Sequence, residues 1–395
     1  MLPEPAGWEA CATPRTNLLA STAARWRILR HMARFERVHL KPDEWHQVLS
    51  TFDDRIVFQT PAWLAFLAET QGAEPVLAEL KDGNESLGYL SGMILKKMGL
   101  RIFGSPFPVW STPYMGFNLK PGVPRRIAVE ALSDFAFKQL GCAHVELVDS
   151  HLTVEDIAGL GFTHKLNPTL EVDLTQPEET IFNNMTKSCR WTVRKAEKNG
   201  VKIEEATDIE FADEVAAQLA EVFSKHGLAL HFGAERVRAL IKHLQPAGSM
   251  LMLRARDPQG RCIATGMYPG IHHTGYYLIG ASWREHQKLY PNELMLWHAM
   301  LHWKRRGARV FNMVGNMEFK QKFGGRETSV PQISKSKNAF IGFLRQKAPA
   351  MKKTAMHWAW RLKGGAKREK PAGEYAEIPA KKEAPDGSAS GDKLQ

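Results

Sequence analysis

The run Phe319-Lys-Gln-Lys-Phe-Gly-Gly325 gathers two aromatic rings, two ammonium groups and two glycines. Rings stack on planar groups, lysines answer negative charge, and glycines let a backbone come close to a ligand. The combination suits a nucleotide or a polarised carbonyl, and on its own it fits a packed turn equally well. A second cationic set is Lys187, Arg190, Arg194 and Lys198. Wound on one helix over Ile181–Val201, these four fall within about 80°, opposite Ile181, Phe182, Met185, Cys189, Val193 and Ala196. Like charges one turn apart repel by about 0.3 kcal/mol per pair, so helix stability does not favour them there. A phosphate, a pyrophosphate or an RNA backbone would. The alternative is a solvated face, its charge partly offset by Glu197. A third segment, Tyr290-Pro-Asn-Glu-Leu294, opens a helix with Asn292 as the expected N-cap. Backbone N–H groups at such an end attract a phosphate or a developing oxyanion.

Group-transfer chemistry would also need a proton acceptor, and Asp149, His151 and Glu318 qualify by type. His272-His273 falls in the expected turn of a hairpin and reads as surface. The four cysteines (Cys11, Cys142, Cys189, Cys262) form no CxxC pair, so neither a disulfide framework nor a zinc site is expected. No HExxH, G-x-S-x-G or Ser-His-Asp order appears, and hydrolase and metalloenzyme chemistry gain no support.

Residues far apart must be positioned by elements, and those elements recur. Leu77–Leu80, the turn Asp82-Gly83-Asn84 and Leu87–Ile94 read as a hairpin. Met250–Arg254, Asp257–Gly260 and Cys262–Tyr268 repeat it. Each hairpin precedes a helix, a glycine stop and a strand: Arg125–Leu140 with Gly141 and His144–Val148, then Asn292–Arg306 with Gly307 and Val310–Val314. The expected fold is α/β (α+β), a duplicated acetyltransferase (GNAT) type, with a cleft between its modules. The expected segments are a flexible 1–34, a first module 35–168, a second module 169–345 that holds the three segments above, a basic aromatic helix 346–363 and a disordered tail 364–395.

The chain has 395 residues, 44% of them hydrophobic and 24% charged, a globular composition. Its net charge of +11 suits an anionic partner or, equally, a solubilising surface. No apolar run approaches the roughly 20 residues that cross a bilayer, and Arg15, Arg25, Arg27 and Arg30 interrupt any leader-like stretch. The expectation is cytoplasmic, with a peripheral place at the inner face of the membrane through 340–362, where Trp358 and Trp360 lie among lysines.

Three segments in order resemble the FemAB-like family: Arg190–Gly200 (Arg-x-x-x-Arg-Lys-Ala-Glu-Lys-x-Gly), Pro291–Leu294 (Pro-Asn-x-Leu) and Phe319–Gly325. Phe58–Trp63 is similar to the family's opening helix, so the resemblance spans roughly residues 35–345. It implies two GNAT-like modules, the second (169–345) carrying the transfer site, and transfer of an acyl or aminoacyl group to an amine of a peptidoglycan, polysaccharide or other envelope precursor. Lys320 and Phe319 would lie at the transfer centre with Glu318 beside them, Lys320 stabilising the oxyanion. Lys187, Arg190, Arg194, Lys198, Asn292, Lys322, Gly324 and Gly325 would hold donor or acceptor phosphates. No tightly bound cofactor is implied. The donor substrate is acyl-CoA or aminoacyl-tRNA and the acceptor an anionic envelope precursor. One departure is that Trp283–Leu294 lacks the glycines of an ordinary acetyl-CoA pyrophosphate loop. The other reading, from a different class, is a non-catalytic phosphate- or nucleic-acid-binding protein using helix 187–198.

Overall fold

The computed structural model describes residues 33–97, 99–107, 111–225 and 233–342. Most of segment 1–34, all of 346–395 and the proposed membrane segment beyond residue 342 lie outside them. The strands are β1 (Arg34–Val38), β2 (Glu74–Asp82), β3 (Glu85–Lys97), β4 (Leu100–Ser105), β5 (Phe117–Leu119), β6 (His144–Val148), β7 (Thr163–Asp173), β8 (Lys202–Glu205), β9 (Met250–Arg256), β10 (Cys262–Ile271), β11 (Thr274–Tyr276), β12 (Ile279–Ser282), β13 (Val310–Asn312) and β14 (Arg326–Ser336). The helices are α1 (Pro42–Ser50), α2 (Pro61–Gln71), α3 (Arg125–Asp134), α4 (Val154–Ile157), α5 (Glu178–Asn184), α6 (Lys187–Lys198), α7 (Phe211–Lys225), α8 (Ala234–Leu244), α9 (Pro291–Arg305) and α10 (Glu318–Gln321). Among the described residues no helix is long and apolar enough to cross a membrane.

The repeated plan of the sequence is present twice. β2 and β3 pair antiparallel across Gly83, whose φ of +56° a glycine adopts without strain. Hairpin β9–β10 turns at Asp257–Gly260. In each half a parallel pair follows, β4 with β6 and β11 with β13. Parallel neighbours need a crossover, which α3 supplies in the first half and α9 in the second. Helix α3 is shorter than Arg125–Leu140 because its last turn, Phe135–Gln139, widens to i→i+5 bonding.

The strands join into one sheet, ordered β1-β2-β3-β4-β6-β14-β7-β13-β11-β10-β9-β8, with β5 on β3 and β12 on β10. The boundary drawn from sequence at 168/169 passes through β7. β14, expected wholly within the second module, pairs with β6 on one side and β7 on the other. One apolar core is shared by both halves: Phe58, Trp63 and Phe66 of the first meet Leu240, Leu244 and Tyr276 of the second, all buried. Burying each such ring contributes about 2 kcal/mol.

Candidate functional site

Strand β13 ends at Asn312, and the chain then turns sharply. Val314 and Gly315 both have positive φ, +52° and +100°. For a β-branched residue such as Val314 this conformation is strained, and it must be held by its surroundings. Asn312 Oδ1 accepts from Val314 N (2.8 Å), and Thr169 Oγ1 accepts from Gly315 N (3.2 Å). The turn presents two carbonyls to Lys320, whose Nζ donates to Met313 O at 2.6 Å and Val314 O at 2.7 Å. Lys320 is only 5% exposed, and its Nζ lies 4.9 Å from the centre of the Tyr277 ring. Among the described residues no carboxylate pairs with it. Burial pushes its ammonium down to about 8, and burial likewise pushes the Tyr277 hydroxyl up to about 12.

The remaining residues of the run divide by environment. Phe319 is half-buried and meets Phe323 edge-on at 5.7 Å. Glu318 is exposed. Lys322 pairs with Glu293 Oε1 at 2.5 Å and lies 4.6 Å from the Phe319 ring centre. At Gly324, φ +75°, a Cβ would come within 2.4 Å of Asn184 O, and at Gly325 one would crowd the Glu171 backbone at 3.3 Å. These glycines therefore seat the run against the end of α5 and against β7.

The helix expected over Ile181–Val201 is two helices, α5 and α6, and all four cations of the stripe lie on α6. After Asn184 the chain leaves helical geometry at Met185, and Thr186 caps α6 by accepting from Cys189 N. The break exists because Thr186 N bonds to Lys322 O at 2.9 Å, which pins the junction to the Phe319–Gly325 run. Arg190 spends its guanidinium on the open end of α5, donating to Asn183 O at 2.7 Å and also to Met185 O. Lys187, Arg194 and Lys198 are exposed, and Arg194 stacks 5.1 Å from the Phe182 ring centre. Asn292 is not the N-cap. Tyr290, in a left-handed conformation, holds that place, Pro291 opens the helix, and Asn292 Nδ2 donates to Ser282 Oγ at 2.9 Å. The Phe319–Gly325 run, the α5–α6 junction and the start of α9 thus converge, while Lys198 lies at the far end of α6.

Sequence reasoning missed the walls of the main cleft. A cavity of about 740 Å³ opens between the halves, lined among others by Arg55, Lys120, Tyr114, Glu171, Arg309 and Asn312. A second of about 520 Å³ shares Glu171, Arg309 and Val310 with it and reaches Asn184 and Gly324. Asn312, one residue before the carbonyls that hold Lys320, binds Glu171 Oε1 at 3.1 Å. Only three-dimensional pairing of β13 with β7 brings these together, so no local sequence signal exists. His151 also lines the main cleft. Asp149 is buried, and its carboxylate accepts from Phe117 N, His151 N and Arg125 Nε.

His272 and His273 share Asp53 Oδ1, at 3.0 and 2.9 Å. With Asp53 their donor atoms lie within 4.8 Å of one another. Arg55 Nη2, which can only donate, is 2.9 Å from His272 Nδ1. The proton of that ring therefore sits on Nε2 and serves Asp53, whereas a metal ligand would need Nε2 bare and Nδ1 donating. The cluster works as a hydrogen-bonded latch between the two halves.

A sequence-family profile described as an acetyltransferase (GNAT) domain matches residues 183–321. Among solved structures, FemX is similar with a TM-score of 0.61 and 14% identity, over 75% of this chain and 96% of that one. A conserved protein of unknown function from Bacteroides thetaiotaomicron VPI-5482 is similar with a TM-score of 0.51 and 11% identity, over 77% of this chain and 100% of its own. No curated protein matches this chain in sequence. The profile covers α6, α9, β13 and Lys320, the elements that converge at the site. Residues 183–321 are thus similar to a GNAT acetyltransferase domain, and the chain has a Fem/GNAT-like fold.

Proposed function

We propose that this chain is an N-acyltransferase that moves an acyl or aminoacyl group to an amine of a cell-envelope precursor, in a peptidoglycan or polysaccharide route. The observation that carries the reading is Lys320, a buried ammonium without a carboxylate partner among the described residues. An ammonium has three N–H donors; two are used by Met313 O and Val314 O, and one is left for substrate. In the reaction the amine nitrogen bonds to the donor carbonyl carbon, and the π electrons move onto oxygen. The oxyanion then collapses and expels a thiolate or a ribose hydroxyl, while the amine's proton passes to a base. Lys320 meets the oxyanion or the leaving oxygen, where a fixed charge in a dry site is most effective. Phe319 walls the reacting group and exposed Glu318 accepts the proton. Gly324, Gly325 and the start of α9 around Asn292 receive donor phosphate. Arg190 and Lys322 position that loop through their internal contacts.

The two halves act as two modules, 35–168 and 169–345, that share the cleft where an anionic acceptor lies beside Lys120 and Arg309. The donor substrate is acyl-CoA or aminoacyl-tRNA and no cofactor is held between turnovers. The reaction belongs to the cytoplasmic side of the envelope. The test is transfer from acyl-CoA thioesters and from charged tRNA to an amine acceptor, for the parent and Lys320→Ala. Saturable use of one donor, lost by about 100-fold in the variant, supports the reading. Full turnover in Lys320→Ala, or use of neither donor, overturns it.

A further inference from the structure

Helix α6 carries one residue that packing does not call for. Its buried side is Cys189, Val193 and Ala196. On the opposite side, in order around the helix, come Arg194, Lys187, Lys198, Trp191 and Lys195, within about 100°. Trp191 stands in the middle of these four cations with 54% of its surface exposed. The other tryptophans among the described residues are buried or half-buried. Its ring is braced edge-on against Tyr290, 5.5 Å away, at the entrance to α9. Among the described residues, Lys187, Lys195 and Lys198 have no acidic partner. The stripe runs about 16 Å, three turns of helix.

We infer that this face of α6 docks on an anionic lipid surface, with Trp191 entering the headgroup layer and the four cations meeting lipid phosphates. Aromatic rings flanked by lysines are stable at that boundary, where one end of the ring is apolar and the other wet. Shape decides between lipid and a nucleic-acid strand. Strand-binding sites are grooves that converge on a backbone, whereas the outer face of a helix is convex and presents all its cations to a plane at once. The surface goes beyond the transfer reaction and would hold the cleft beside a membrane-borne acceptor.

The test is co-sedimentation of the full-length protein with phosphatidylcholine vesicles and with vesicles rich in phosphatidylglycerol. The parent is expected to sediment with the anionic vesicles alone. Each cation removed, as in Lys195→Ala, should weaken partition about fivefold, and Trp191→Ser about tenfold. Trp191→Phe, which keeps a ring, should recover most of it, and unchanged melting shows that the exposed substitution leaves the fold intact. Equal sedimentation with both vesicles, or full binding by Trp191→Ser and Lys195→Ala, overturns the inference. So does binding of single-stranded RNA that needs Trp191 while vesicles stay unbound. Transfer to a soluble acceptor, measured separately, reports on the reaction and not on this surface.

Discussion

The two halves each bury an ion just after the strand that follows their crossover helix, and they treat it in opposite ways. Behind β6, Asp149 is met by Arg125 Nε at 3.0 Å and by two backbone N–H groups, and Arg125 reaches on to Asp54 at 2.9 Å. Behind β13, Lys320 has two neutral carbonyls and a ring face. A buried charge that is fully paired holds structure, and removing one partner is strongly destabilising. A buried charge met only by dipoles is costly to keep and is the pattern expected where charge appears during a reaction. One half thus uses its ion as a fastener and the other holds one in reserve.

Substitutions can break that contrast. The largest expected effect is on stability: Asp149→Ala should cost about 3–5 kcal/mol in urea unfolding, because Arg125 and two N–H groups lose their acceptor. Lys320→Met, matched in length and uncharged, should leave the urea midpoint unchanged or raised while transfer falls by about 100-fold. Equal destabilisation by the two would make Lys320 another fastener and end the comparison. A pH series sharpens it. Because burial holds Lys320 near 8, below its ordinary 10.5, the unfolded chain binds this proton more tightly. The group's contribution to stability should therefore rise with pH between those values. A rate that needs the ammonium should fall as pH rises through about 8, and Lys320→Arg, which stays charged, should remove that limb.

Smaller effects test how the site is seated. Gly324→Ala should lose about 1–3 kcal/mol, since its Cβ would strike Asn184 O. Gly307→Ala, with φ +87° but open space around it, should lose only the left-handed cost of about 1 kcal/mol. Arg190→Ala should lower stability by about 1 kcal/mol by uncapping α5, read as a lower melting temperature.

What sequence could reveal here was whatever is local. Hairpins, glycine stops and the alternation of Cys189, Val193 and Ala196 with cations are written within a few turns of chain, and they appear in the structure. The break at Met185–Thr186 was not legible, because Thr186 N donates to the Lys322 carbonyl, more than a hundred residues away. The N-cap expected at Asn292 lies two positions earlier, at Tyr290, since a tyrosine in left-handed geometry before Pro291 gives no capping signal. The cleft walls were hidden for the same reason as the break: Glu171, Arg309 and Asn312 meet through strand pairing alone. Trp191 was visible as a letter in the sequence, but only the structure shows that over half of its surface is uncovered.

The placement of β14 also has a consequence for how the protein is made. β6 and β7 are separated by only 14 residues of chain, yet they do not pair with each other, because the slot between them is taken by a strand that ends at Ser336. During synthesis both would wait with open edges until almost the whole described body has left the ribosome. Slow closure of such long-range pairing is where chains associate wrongly. A nascent chain halted before Arg326 should therefore be a client for chaperones, and completion of β14 is the moment the two halves become one molecule.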